Sequence, residues 1–486
     1  MQQTRIIRLL STLGSSEIRR FSEFVHSPYF NKSSTVRDLF DYLEPFYPGF
    51  TGPGIQQEQV LQKGLGLPAH EVQKLHDANS SLTRLLEEFF SVEQLTSSPS
   101  LQTLQTCEKL IQSGREWYFP KKWKLGEDAP QTPSDYLTLY QAEEVGLRQA
   151  QRNLRRTGRS THDERLKSTM KALDAFYLAQ KLQLACETLN RQKIINSDDE
   201  LDMLEEISDF LQNTSSPIAK IPLIRLYHGV LRLLTEETDE AFHQFMSRLD
   251  ALENTLGRDT GIAMYAYAQN YCIRQINTGR IEFLDRLFEL YVSLLDNGFI
   301  LEADNSLAHW NYKNITTVAL RLKKFDWVSS FLESYKKKLH EDIRESVYRY
   351  NMAATRYEQQ DYAAALKFLQ QTVFMDVHYD LSARSMLLKI FFELEDDEAL
   401  GYSFQAFEGF LRRNKAISKE HYLIHKNLIR FLKKIHRLKH RIGQLTTEEA
   451  HRRYDLLQAE LLNASAVANK SWLSDKLAEM HRHDSE

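Results

Sequence analysis

The sequence predicts an all-α protein, a superhelical array of paired helices preceded by a small helical module. Three observations lead there. All eleven prolines lie at or before Pro222. Interior proline removes a backbone donor and clashes with the preceding turn, so the proline-free remainder is open to nearly continuous helix. No segment sustains the period-two alternation of a half-buried strand. Apolar residues instead recur at helical spacing in stretch after stretch, with breaks at Gly257, Gly279, Gly298 and Glu395-Asp396-Asp397.

Taken in order, residues 1–95 read as a separate helical module. Ser15 or Ser16 caps a helix running to His26, and Ser27-Pro28 forces a turn because the residue before proline is pushed out of the helical region. Tyr29 and Phe30 follow. They are expected to plug the gap between helices rather than to act as a docking knob, since most aromatics are core. Helices over Thr35–Leu43, Gln57–Leu65 and Glu71–Phe90 complete the module, with Leu75, Leu82, Leu85, Leu86 and Phe89 inward.

Residues 96–133 are expected to be an irregular connector, with Pro99, Pro120, Pro130 and Pro133 and the cluster Trp117-Tyr118-Phe119-Pro120-Lys121-Lys122-Trp123. Interleaved aromatics and lysines can stack on bases; a connector folded against its neighbours is the expected role. Residues 134–443 carry the array. Its helical pairs fall at about 165–192 with 199–212, 218–234 with 237–255, 261–277 with 281–297, and 307–322 with 326–339. Two more follow at 346–357 with 362–375 and 381–394 with 398–413. A helix over 419–442 follows them. Residues 444–486, with stretches at 447–468 and from Ser471, are expected to cap the array.

Composition narrows the function classes. The 486 residues are 42% hydrophobic, enough for a continuous core, and the net charge is −4, from 62 basic and 66 acidic side chains. No global field draws nucleic acid or anionic lipid. Cys107, Cys186 and Cys272 are isolated, which fits a reducing compartment. Arg8 interrupts the only apolar start, so no secretory leader is expected, and no apolar run reaches the roughly 18 residues needed to span a bilayer. The expectation is a cytoplasmic protein. The first 37 residues hold six basic residues against two acidic ones, the balance of a nucleic-acid-binding head. Over residues 1–93, however, nine basic residues face eleven acidic ones, which argues against it.

Within the array, Val347, Tyr350, Ala354 and Tyr357 form one helical stripe. The turn Glu358-Gln359-Gln360-Asp361 follows, with Asp361 as N-cap. Tyr362, Ala365, Leu366, Leu369 and Val373 then form a second stripe. Neither stripe can be buried alone, so the pair needs similar pairs on both sides. This unit resembles a tetratricopeptide repeat, a helix-turn-helix of about 34 residues. Ala365 occupies the position of that family's packing alanine, Met352-Ala353 stand in for its Leu-Gly, and Tyr357 lies one position past its tyrosine. Arg349 and Val377 replace its tryptophan and proline. Phe325-Asp326-Trp327 opens a neighbouring copy, and Trp327 and Tyr362 are 35 residues apart. The whole chain is also similar to a group of bacterial all-helical proteins through Ser27-Pro28-Tyr29-Phe30-Asn31, Leu173-Asp174-Ala175-Phe176-Tyr177 and Leu411-Arg412-Arg413-Asn414-Lys415. That resemblance implies no activity.

Catalytic patterns are missing from the sequence. There is no Gly-rich phosphate loop, no Gly-x-Ser-x-Gly elbow and no His-Glu-x-x-His, so a non-catalytic role is expected. The run Ser197-Asp198-Asp199-Glu200 reads as a helix start and not as a calcium loop. The basic end Arg148, Arg152, Arg155, Arg156 and Arg159 reads as a solvated face. On the helix over 419–442, Ile424, Leu428, Phe431, Ile435, Leu438 and Ile442 share one face, and residues 411–442 hold eleven Lys/Arg against Glu420 alone. That face suits an acidic protein partner. His421, His425, His436 and His440 lie close together around the same helix. No metal or other cofactor is expected, because no carboxylate or cysteine converges on them in the sequence.

The resemblance implies that first helices of successive pairs line a groove that holds an extended peptide. Asn270, Arg274 and Asn277 recur at i, i+4, i+7, Asn314, Thr317 and Arg321 repeat the stripe, and Asn351 follows in the next pair. Asparagine offers both donor and acceptor to a peptide amide. The candidate peptide-binding residues are therefore Asn270, Arg274, Asn277, Asn314, Arg321 and Asn351, with a protein or peptide as the partner. The alternative is a ligand- or peptide-sensing regulator whose N-terminal module contacts nucleic acid.

Overall fold

Among the described residues helix follows helix from Arg5 to His483, and extended pairing is limited to one isolated antiparallel bridge, Leu301 with Leu307. The computed structural model describes residues 3–115, 118, 130–158, 162–195, 201–212, 216–252, 255–302, 304–370, 372–373 and 376–483. The lysine–aromatic cluster after Arg115 (Tyr118 apart), Arg159 and the acidic run 197–200 lie outside the described residues. No described helix is long and apolar enough to cross a membrane. The chain divides into two compact units, residues 1–188 with 199–228, and residues 189–198 with 229–486.

In the first unit, helices Ser15–His26, Ser34–Leu43 and Val72–Ser97 bury one cluster in which Phe21 meets Phe40 edge-on at 5.2 Å and Phe89 at 5.4 Å. Each fully buried side chain of this kind contributes about 1.5–3 kcal/mol. The plug expected of Tyr29 and Phe30 is only half right. Phe30 stacks on Phe24 at 4.0 Å, whereas Tyr29 is 84% exposed. The gap is closed by Asn31, buried, whose amide donates to the Val25 carbonyl at 2.9 Å and whose Oδ1 accepts from the Ser33 backbone at 2.9 Å. A short polar side chain satisfies the backbone groups freed by the Ser27-Pro28 turn, which an aromatic ring cannot do.

The connector is also more regular than its prolines imply. Pro99 sits at the first position of a helix, Pro99–Gln112, with Ser98 as its cap. There the missing N–H is one that no helix would use. Leu104, Cys107 and Ile111 pack against Ala142 and Val145.

Four helix pairs of the second unit share one turn. The helix Glu341–Glu358 ends with Gln360 in the left-handed region (φ 63°), the Gln360 N–H on the Tyr357 carbonyl and the Asp361 N–H on the Arg356 carbonyl. That double bond satisfies carbonyls that a helix end leaves unpaired. The same turn recurs at Gly279, Lys323 and Glu395. Only the first is glycine; the other residues bear the left-handed strain of about 1 kcal/mol. Asp361 then caps the next helix, Tyr362–Gln370, its Oδ1 accepting from the Ala364 N–H at 3.0 Å. Ala365 and Leu369 are buried there. Val373 is not on that stripe, because the helix stops at Gln370 and Val373 is 82% exposed.

First helices of neighbouring pairs also pack on each other. Glu341–Glu358 touches both His309–Arg321 and Val377–Glu393, and Val377–Glu393 touches Lys419–Arg441. The last helices, Thr447–Asn463 and Lys470–His483, contribute Tyr454, Leu461, Leu473 and Leu477 to a core shared with Phe407, Phe431 and Ile435.

Candidate functional site

Lys313, Thr317 and Arg321 occupy one face of the helix His309–Arg321 at i, i+4, i+8. Tyr350, Ala354 and Tyr357 lie on Glu341–Glu358, and Ser382, Ser385 and Lys389 on Val377–Glu393. Because these first helices pack side by side, the three stripes meet, and with His425 they line a cavity of about 370 Å³. Asp376 fixes the start of the third helix, its Oδ1 accepting from the His378 and Tyr379 N–H groups.

The cavity is lined by three cations, Lys313, Arg321 and Lys389, against one carboxylate, Glu358. Lys313 is partly buried, donates to Ser382 Oγ at 2.9 Å, and lies 5.1 Å and 5.0 Å from the ring centroids of Tyr350 and Tyr379. Lys389 lies 4.1 Å from the Tyr357 ring centroid and 5.6 Å from that of Trp472. Among the described residues, neither amine has a carboxylate within ion-pair distance. Aromatic faces attract a cation through the ring quadrupole, but they do not neutralise it. Burial accordingly lowers the pKa of both amines, opposed weakly by Asp376 at Lys313 and by Glu358 and Glu393 at Lys389. His425 points its Nδ1 at Ser385 Oγ, 3.1 Å away. Burial, then His421, Lys313 and His378, lower its pKa to about 4, so it is neutral near pH 7. Partly desolvated cations without counterions can accept an anion, because a bound carboxylate would restore the charge balance that burial removed.

Two other cavities among the described residues differ in kind. One of about 410 Å³ sets Glu393, Glu395 and Glu479 against Lys439 and Lys476, and these lysines are already paired, Lys439 with Glu395 at 2.5 Å and Lys476 with Glu393 at 2.9 Å. The other, of about 480 Å³, pairs Arg286 with Glu289 at 2.9 Å.

Of the six residues expected to grip a peptide, Arg321 lines the 370 Å³ cavity and is exposed. Asn314 is exposed beside the Tyr291 hydroxyl. Asn277 is exposed as well, at the end of Arg258–Asn277. Asn270 and Arg274 are partly buried, Asn270 donating to Asn190 Oδ1 at 3.3 Å and Arg274 lying 3.5 Å from Glu237. Asn351 departs from the expectation. It is 1% exposed, donates to the Val347 carbonyl at 2.8 Å and bonds the Tyr379 hydroxyl. It is an internal strut, because the helix on either side covers the face that the sequence spacing assigned to the groove. Lys313 and Lys389 escaped the sequence reading, since a lone lysine on an amphipathic helix reads as solvated. The signal was there one position away, in the Asn314-Thr317-Arg321 stripe.

One further expectation is narrowed and another is corrected. The basic face of Lys419–Arg441 meets acidic residues of its own chain, with Lys433 on Glu408 at 2.7 Å, Lys434 on Glu460 at 2.6 Å and Lys439 on Glu395. A carboxylate does converge on the histidine stripe: Asp397, the first residue of the helix Asp397–Arg413, reaches His436 and His440. In the first unit, Arg5 pairs with Glu87 at 2.7 Å and Arg20 with Glu93 at 2.6 Å, so acidic neighbours already engage these basic residues. In comparisons with known proteins, no family model, no curated protein and no solved structure matches the chain.

Proposed function

We propose that residues 229–486 form a tetratricopeptide-like α-solenoid that acts as a non-catalytic scaffold. It holds an extended protein segment along its first helices, with one carboxylate of that segment seated between Lys313, Arg321 and Lys389. The recurrent turn at Gly279, Lys323, Gln360 and Glu395 and the packing of successive first helices support the repeat reading. The observation that carries the ligand reading is the pair of aromatic-framed amines without a carboxylate partner. A cavity of about 370 Å³ matches the lower end of ligand-site sizes. It suits an acidic side chain or a chain terminus rather than a whole cofactor.

Selection of random peptides displayed on phage, using the full chain as bait, tests this directly. Enriched peptides should share an acidic residue or a free C-terminus, and the Lys313→Met, Lys389→Met double variant should not capture them. Enrichment of peptides without a carboxylate in common, or undiminished capture by the double variant, contradicts the proposal.

A further inference from the structure

The geometry points to a binding site for a zinc-type divalent cation at Asp397, His436 and His440, separate from the groove. His436 and His440 lie one turn apart on Lys419–Arg441 and turn their Nε2 atoms toward each other, 3.1 Å apart. Asp397 closes the third side, Oδ1 2.7 Å from His436 Nε2 and Oδ2 3.0 Å from His440 Nε2. Its placement follows from the local chain. Glu395 in the left-handed region reverses the backbone, and Asp396 caps the helix Asp397–Arg413 by accepting from the Ala399 N–H at 2.9 Å. The Asp397 carboxylate is therefore left to face the imidazoles.

Proton accounting favours a metal over a hydrogen-bonded cluster. For both Nε2 atoms to bond the carboxylate, each must carry a proton. The two N–H donors then face one another at 3.1 Å, with Asp397 as their common acceptor. A metal ion takes a lone pair from each nitrogen and from the carboxylate instead. Zinc holds imidazole nitrogen at about 2.0–2.1 Å and carboxylate oxygen at about 2.0–2.2 Å. Tetrahedral ligand atoms are then about 3.3 Å apart, so the three atoms need to separate by a few tenths of an ångström. Two of the neighbouring cations are compensated, Lys439 by Glu395 at 2.5 Å and Lys433 by Glu408 at 2.7 Å, and Arg437 and Arg441 are exposed to solvent. The His436 side chain is 22% exposed, while His440 and Asp397 are 51% and 54% exposed. The solvent side is thus open to water or to a ligand atom from a partner at the fourth position.

The test uses the full chain, stripped with a chelator and dialysed against zinc at micromolar concentration, with bound metal measured by elemental analysis and Co²⁺ used as a spectroscopic probe. One equivalent of zinc should bind, the Co²⁺ complex should show visible d–d absorption, and the thermal midpoint should rise with zinc. Asp397→Asn and His440→Ala change exposed side chains, so both should keep the helical circular dichroism while losing zinc affinity about tenfold or more. His421→Ala, in the other histidine pair of the same helix, should bind as the wild type does. Failure of the wild type to bind one equivalent overturns the proposal, as does equal zinc affinity in Asp397→Asn and His440→Ala.

Discussion

Replacing His425 by glutamine probes the wall of the 370 Å³ cavity through its pH dependence. The imidazole is partly buried, bonded to Ser385 and faced by His421, His378 and Lys313, and its pKa falls to about 4 chiefly through burial. In the unfolded chain a histidine titrates near 6.5. As pH falls from about 6.5, the unfolded state takes up a proton that the folded state refuses. Stability present above pH 6.5 is therefore lost progressively and is gone below about 4. At about 1.4 kcal/mol per pH unit, that interval amounts to roughly 3 kcal/mol. Glutamine keeps a polar group in place and does not titrate. Denaturant unfolding of both proteins between pH 7 and pH 4 should show the wild type losing roughly 3 kcal/mol more than the variant. Parallel stability curves would refute the reasoning, as would an imidazole that titrates near 6.5 by NMR.

Asn351→Ala removes a buried amide bonded to Val347 and Tyr379, and should cost about 2–3 kcal/mol through the unpaired groups and the small void it leaves; denaturant unfolding checks this, and a change under 0.5 kcal/mol (roughly the level of a surface substitution) would return it to the groove surface. Lys389→Met should leave stability at pH 7 equal or higher, because it replaces a desolvated charge by apolar volume. The sign follows from its lowered pKa: between that value and about 10.4 the unfolded chain binds more protons, so wild-type stability rises with pH there, and the Met variant should lose this rise in thermal melts at successive pH values. A strongly destabilised Lys389→Met protein would make the amine a structural element.

The helical class was open to reading because its cause is local. Proline stops at Pro222 and apolar stripes recur at helical period, and the observed Lys419–Arg441 and Asp397–Arg413 helices start and end within a residue of the stretches expected. Pro99 misled, because the same residue that breaks an interior turn begins a helix when Ser98 stands before it. The turns at Lys323, Gln360 and Glu395 carry no glycine, so the shared turn geometry is invisible to a search for breakers. The site was harder to read for a different reason. Whether Asn351 or Lys313 faces the cavity depends on which flank of a first helix its neighbour covers, and that is decided by packing over tens of residues. Asp397 reaches His436 across 39 positions, and no spacing rule within one helix reveals such a partner.

The central claim is that the cavity takes a carboxylate, and calorimetric titration of one groove-selected acidic peptide against its Glu→Gln counterpart tests it most directly. A charge-assisted bond to a buried amine contributes about 1.5–3 kcal/mol, so the acidic peptide should bind about ten- to a hundredfold tighter. Its binding should favour the charged forms of Lys313 and Lys389, whose pKa values burial has lowered, and should weaken as pH rises through those lowered values. The Lys313→Met, Lys389→Met double variant, which keeps only Arg321 of the three cations, should lose most of this preference. Equal affinity of the wild type for the Glu and Gln peptides, or an undiminished preference in the double variant, would contradict the account.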